Sequence, residues 1–300
     1  MRFQFKHPVS FIVSLLFLAS PAAFAAPVGQ NLPGIDRSQM AQILMATEKA
    51  SDNAAAAVYP SSMLSSTWVT GNAAGEPYVY MTTGKPNKII LYLHSWTADM
   101  TQIETPFASD LLNIQNAIFV APNFNGPNNT PAALGSQDTS DRINTVIEEI
   151  RYKTNLTRVY LVGTSGGGMA SLLLLGRYPN LVYRASIWSP CYDLATAYGE
   201  TADPSLKADM IAAIGSAPTG PDDPRYLGRS PRSVLQNFNG STTKVIINVG
   251  TKDTTFPKHN GYDAMNAMLA ASPGADVSVV EWPMGHEFHA IDVLKQLVLE

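Results

Sequence analysis

The chain has 300 residues, 20 basic and 24 acidic side chains, a formal charge of −4 and 45% hydrophobic residues. A mildly acidic chain without basic runs does not suit nucleic acid or an anionic membrane as partner. Its single cysteine, Cys191, allows no internal disulfide, so stability must come from a core that a chain of this length can build.

Residues 1–25 read as a secretory signal. Arg2 and Lys6 give a positive start, residues 11–18 are apolar apart from Ser14, and Ala23-Phe24-Ala25 has the small-x-small form of a cleavage site. The apolar run is shorter than the roughly 20 residues a membrane span needs. The expectation is cleavage after Ala25 and a secreted or periplasmic product without membrane attachment. Residues 26–300 then keep 18 basic against 24 acidic side chains, and are expected to form one domain. Asp36 caps an expected helix at 37–50, with Met40, Ile43, Leu44 and Thr47 on one side. Extended runs at 65–70 and 77–82, separated by Gly71-Asn72-Ala73-Ala74-Gly75, predict an antiparallel pair at a sheet edge.

From Lys88 onward apolar strands alternate with helices, the pattern of a mostly parallel sheet. The predicted strands are 88–93, 117–121, 158–162, 184–188, 244–249 and 277–282. Helices are predicted at 100–114, 138–153, 167–177, 259–271 and 288–299, giving an α/β sheet of eight strands with helices on both faces. Residues 190–243 exceed what a crossover requires. They hold a predicted helix at 207–214 and a proline-rich loop at 217–224, and read as a modest insertion over the site, with Tyr192, Tyr198 and Tyr226 lining an opening.

Within this frame Val159-Tyr160-Leu161-Val162 runs into Gly163-Thr164-Ser165-Gly166-Gly167, followed by a helix-favouring run. Gly-x-Ser-x-Gly between strand and helix is the pattern of a nucleophile elbow, so Ser165 is the candidate nucleophile. A serine hydroxyl needs a histidine to accept its proton and a carboxylate to orient that histidine. His286, in the loop after the last predicted strand, is the expected base; His289 and His259 are alternatives. Asp253, just after the strand at 244–249, is the expected acid, with Asp193 as alternative. Two backbone donors should face the developing oxyanion. The Gly166 amide is one, and Trp96, in Leu93-His94-Ser95-Trp96, is chosen over Ser95 for the other, leaving His94 to brace that loop. Cys191 reads as a buried small residue. His286-x-x-His289 lacks a third metal ligand at useful spacing, and Gly166-Gly167-Gly168 lacks the Lys-Ser/Thr of a phosphate loop. Neither a metal nor an organic cofactor is expected. Asn128, Asn155 and Asn239 open glycosylation tripeptides.

The segments 93–99, 123–129, 162–168 and 250–253 carry a resemblance. The chain resembles α/β hydrolases, and more narrowly the single-domain secreted members of the prolyl oligopeptidase (S9-like) family. That resemblance implies an α/β-hydrolase fold and a triad of Ser165, Asp253 and His286. No propeller domain is expected at this length. The resulting expectation is a serine hydrolase acting through an acyl-enzyme on a small-molecule, peptide or polymer substrate. The resemblance tips the reading toward a serine peptidase, while a carboxylesterase or polymer depolymerase stays open. So does a non-catalytic binding protein that keeps the fold. The oligomeric state is not legible.

Overall fold

The computed structural model describes residues 65–299. The expected signal segment at 1–25 and the expected helix at 37–50 lie outside the described residues. Eight strands form one sheet: β1 (Val69–Ala73), β2 (Glu76–Thr83), β3 (Lys88–Leu93), β4 (Ala117–Pro122), β5 (Val159–Thr164), β6 (Arg184–Trp188), β7 (Lys244–Gly250) and β8 (Val277–Trp282). Their spatial order is β1-β2-β4-β3-β5-β6-β7-β8. The β1–β2 and β2–β4 pairs are antiparallel, and every later pair is parallel. Because β3 lies between β4 and β5, the chain leaves it first to one side and then to the other. Such a switch point opens a crevice at the carboxyl ends of the strands.

Strand β3 shows how the layers form. Ile89, Leu91 and Leu93 join a cluster on one face, and Ile90 and Tyr92 join a second cluster on the other. Successive side chains of a strand point to opposite faces, so a strand covered on both sides must be apolar throughout. The helices are α1 (Gln137–Thr154), α2 (Gly166–Arg177), α3 (Leu194–Glu200), α4 (Pro204–Ile214), α5 (Pro224–Leu227), α6 (His259–Ala271) and α7 (Ala290–Leu294). Helices α1, α2 and α6 cover the first face, and α7 covers the second. Helix α1 starts where the Ser136 side chain accepts a hydrogen bond from the Thr139 amide, and stops at Asn155 in the left-handed conformation.

Four expectations are corrected. The predicted helix at 100–114 is two 3-10 turns, Met100–Glu104 and Ser109–Asn113. Pro106 bars the helical conformation to the residue before it, and Thr105 is accordingly extended (ψ 163°). The first strand begins four residues later than predicted and runs to Ala73. The turn is only Ala74-Gly75, both with positive φ, and the Gly75 amide donates to Asn72 Oδ1. The last helix starts at Ala290 rather than 288, leaving His289 at its N-cap, and widens to a π turn over Lys295–Leu299. Finally, the tyrosines of the insertion pack rather than line an opening. Tyr226 is fully buried with its hydroxyl on the Ser216 carbonyl, Tyr198 lies beside it, and Tyr192 packs on the main core. The insertion forms a third cluster, in which Leu194, Met210 and Tyr226 meet Trp96 and Phe256.

Candidate active site

The turn from β5 into α2 lifts Ser165 above the sheet at φ 55° and ψ −116°. A non-glycine residue there costs on the order of 1–3 kcal/mol, held by its surroundings. The flanking glycines have a measurable reason. A Cβ at Gly163 would fall on the Ser171 hydroxyl and the Gly167 carbonyl, and one at Gly167 on the Leu93 carbonyl. Only glycine lets the turn press this closely against β3 and its own helix.

Ser165 Oγ lies 2.8 Å from His286 Nε2, and His286 Nδ1 lies 2.7 Å from Asp253 Oδ2. With the ring proton on Nδ1, the imidazole donates to the carboxylate and accepts from the serine hydroxyl. The other Asp253 oxygen accepts from the amides of Thr255 (2.8 Å) and Phe256 (3.0 Å). One oxygen is thus anchored to backbone while the other is aimed at the histidine. The Asp253 side chain is fully buried, whereas His286 keeps 25% exposure. The Phe256 ring meets the imidazole edge-on at 5.5 Å.

The alternatives lie apart from this chain of contacts. Asp193 caps α3 through the Thr196 amide and pairs with Arg232. His259 sits between Glu200 and Asp263, and His289 packs against Trp188 and Trp282. Cys191 is buried, which pushes its thiol pKa well up and leaves it a poor nucleophile. Among the described residues no group of three or more His, Cys, Asp or Glu side chains is placed to hold a metal ion.

The two expected oxyanion donors meet at the head of α2. Its first hydrogen bond runs from the Met169 amide to the Ser165 carbonyl, so the amides of Gly166, Gly167 and Gly168 have no partner in the helix ladder. A Cβ on Gly166 would lie 2.8 Å from the Trp96 nitrogen, so the backbones of Trp96 and Gly166 touch. The amides of Trp96 and Ser95 differ in their hydrogen bonds. The Ser95 amide donates to Gln102 Oε1 at 2.8 Å, while the Trp96 amide has no acceptor among the described residues.

The loop carrying Trp96 is held from several sides. Gln102 accepts from Tyr92 as well as Ser95 and donates to Ser95 Oγ. Buried Asn128 donates to the His94 carbonyl at 2.8 Å, and its burial leaves its glycosylation tripeptide inaccessible. The Trp96 indole and Asn129 both donate to Asp209 Oδ2 on α4, each at 3.0 Å. His94 stacks on Phe124 at 4.0 Å with Nε2 3.0 Å from the Asn123 carbonyl, and burial holds its pKa below the usual histidine value. Sequence reasoning missed Gln102 and Asp209, and saw Asn128 only within a segment of resemblance. Asp209 lies 113 residues from Trp96, a separation that no local pattern signals.

The loop, Ser165 and His286 border a cleft of about 220 Å³, lined also by Gln102, Phe107 and Phe288 among others. A larger hollow of about 360 Å³, on the β7–β8 edge near Asp276 and Lys295, has none of these residues in its wall.

The chain has relatives in sequence and in fold. The Esterase family model matches residues 139–277, a stretch that contains Ser165 and Asp253 and ends before His286. An acylaminoacyl peptidase from Pyrococcus horikoshii superposes with a TM-score of 0.56 at 14% identity, over 77% of this chain and 40% of that one. The chain is an α/β hydrolase in fold. The chain is also 27% identical over 169 residues to the acylamino-acid-releasing enzyme of Arabidopsis thaliana, covering 54% of this chain and 21% of that one. It is 23% identical over 163 residues to acetylxylan esterase A of Talaromyces purpureogenus, covering 49% of this chain and 41% of that one. The chain thus spans less than half the length of each of these relatives.

Proposed function

We propose that the chain is a serine hydrolase that cleaves ester bonds through an acyl-enzyme. The observation that carries this reading is the continuous chain Ser165–His286–Asp253, with bonds of 2.8 and 2.7 Å, beside the open amides of Gly166 and Trp96. His286 takes the Ser165 proton as Oγ adds to the carbonyl carbon, and Asp253 stabilises the resulting imidazolium. The negative charge moves onto the carbonyl oxygen, where the two amides receive it. The imidazolium then protonates the leaving group, and water repeats the sequence to free the acid. The Esterase match and the acetylxylan esterase likeness support an ester substrate. Peptide cleavage is the second reading, supported by the likeness to acylaminoacyl peptidases. Hydrolysis of p-nitrophenyl acetate beside N-acetylalanyl p-nitroanilide, with Ser165→Ala as the blank, tests both. Absence of turnover on both, together with no labelling of Ser165 by a fluorophosphonate, would sink the proposal.

We further propose that the product is exported, on the composition of residues 1–25. Among the described residues no helix is long and apolar enough to cross a membrane. Sequencing the N-terminus of protein recovered outside the cytoplasm should give Ala26 first; an intact Met1 there would contradict the cleavage site.

A further inference from the structure

The cleft beside Ser165 has an unusual wall. Phe107 lies in the irregular segment between the two 3-10 turns and Phe288 in the loop between His286 and α7, so two loops distant in sequence supply the wall. Their rings meet at 5.1 Å. Phe288 is backed by Trp188 at 5.6 Å and Tyr92 at 6.5 Å, which fixes its plane. Phe107 rides on it and stays 43% exposed, among the few large apolar side chains left in water in the described residues. An aromatic face held rigidly open beside a nucleophile is a surface for a ligand rather than part of the core.

The rest of the lining sets polarity and size. Ser95 and Gln102 spend their polar groups on each other and on Tyr92. Apart from His286, the ionisable side chain on the lining is Glu287, which disfavours an anionic substrate group. A dry cavity of about 150 Å³ is enough to hold benzene, so about 220 Å³ accepts a phenyl-sized group with the carbonyl that carries it.

We propose that Phe107 and Phe288 form a subsite for a neutral, phenyl-sized apolar group joined by a short link to the scissile ester. The proposal deepens the serine-hydrolase reading and rests on it. Shape-selective pockets discriminate by roughly 10- to 200-fold per misfit group, and the preference expected here is at the lower end because one side of the cleft is open.

The test uses two matched pairs of unactivated esters. Methyl phenylacetate against methyl acetate places the aromatic ring on the acyl side, and benzyl acetate against ethyl acetate places it on the alcohol side. The expected result is at least a 10-fold higher kcat/KM for the aromatic member of one pair, and the pair that responds assigns the side. Phe107→Ala and Phe288→Ala should each reduce that ratio several-fold, with Phe107→Leu between parent and alanine. Phe107 is exposed, so its variant decides the matter if Phe288→Ala melts early. Benzylboronic against methylboronic acid, as protectors of Ser165 from a fluorophosphonate, should show the same preference without requiring turnover. Equal ratios in parent and variants, or no aromatic preference in either pair or in protection, would overturn the subsite while leaving a working hydrolase. A parent protein that neither turns over any ester nor takes the label would overturn the hydrolase reading and the subsite with it.

Discussion

His286 and His259 each hold a carboxylate against a ring nitrogen, and they are built differently. His286 offers Nδ1 to a buried carboxylate and turns Nε2 to a serine hydroxyl. His259 has a carboxylate on each nitrogen, Glu200 at 2.6 Å and Asp263 at 3.0 Å, at 40% exposure. Burial pulls the His259 pKa down, but hydrogen bonds and charge from Asp263 and Glu200 outweigh it and hold it above the ordinary histidine value. A histidine with both nitrogens on carboxylates is best served as an imidazolium and has no free lone pair. One with a single nitrogen held can accept a proton at the other. Geometry, rather than the presence of an acid beside a histidine, separates a base from an ion pair.

The largest expected effect breaks the first of these arrangements. Ser165→Ala and His286→Ala should each lower kcat by roughly 10⁵–10⁶, with the double variant scarcely worse, since such residues act as a unit. His259→Ala should leave kcat within a few-fold of the parent. Steady-state kinetics on p-nitrophenyl acetate distinguish the two, and a His259 variant as impaired as His286→Ala would void the comparison.

The acids sharpen it next. Asp253→Asn keeps an anchor for the Thr255 and Phe256 amides but loses the charge that stabilises the imidazolium, so kcat should fall by about 10⁴. Asp193→Asn should leave kcat nearly unchanged, since it keeps the α3 cap acceptor and loses only the charge that faces Arg232. The expected cost in denaturant melts is that of a partly exposed ion pair, about 0.2–1 kcal/mol. Reversed outcomes would move the acid to Asp193, at the head of α3 after β6.

How much of this was legible depends on how local the signal is. Alternating apolar strands and helices announced the sheet because each strand is covered on both faces, as the contacts of β3 show. Ser165, Asp253 and His286 each stand just after a strand, and the structure brings them together. The segment 100–114 misled because its composition is helical while Pro106 forbids continuity. The Trp96 loop was legible only as a loop, because the groups that hold it come from 7, 33 and 113 residues away: Gln102, Asn128 and Asp209. Asp209 yields a third, intermediate prediction. Asp209→Ala frees the Trp96 indole and Asn129 together, so the oxyanion loop should loosen and kcat fall by about 10-fold. That is less than the 10²–10³ expected for deleting an oxyanion donor outright. Asp209→Asn retains an acceptor oxygen and should recover most of the rate, with KM little changed in both. Equal losses in the two variants would mean that charge, rather than loop position, matters at Asp209.

The smallest effect concerns His259 itself. Its pKa is raised in the folded chain, so folding favours its protonated form. The stabilisation from Glu200 and Asp263 is therefore complete below the ordinary histidine pKa of about 6.5, provided both carboxylates are ionised, and fades as pH rises through the folded value. Replacing His259 by Asn, which cannot carry the charge, should lower stability near pH 6 and have progressively less effect toward pH 9. Because the cluster is substantially exposed, solvent and salt limit the difference to about 0.2–1 kcal/mol, and added NaCl should shrink it further. Urea melts of parent and variant across that pH range read the difference directly. A stability difference that grows with pH would have the opposite sign of linkage. It would mean that His259 is held neutral, as a base would be, and the contrast with His286 would fail.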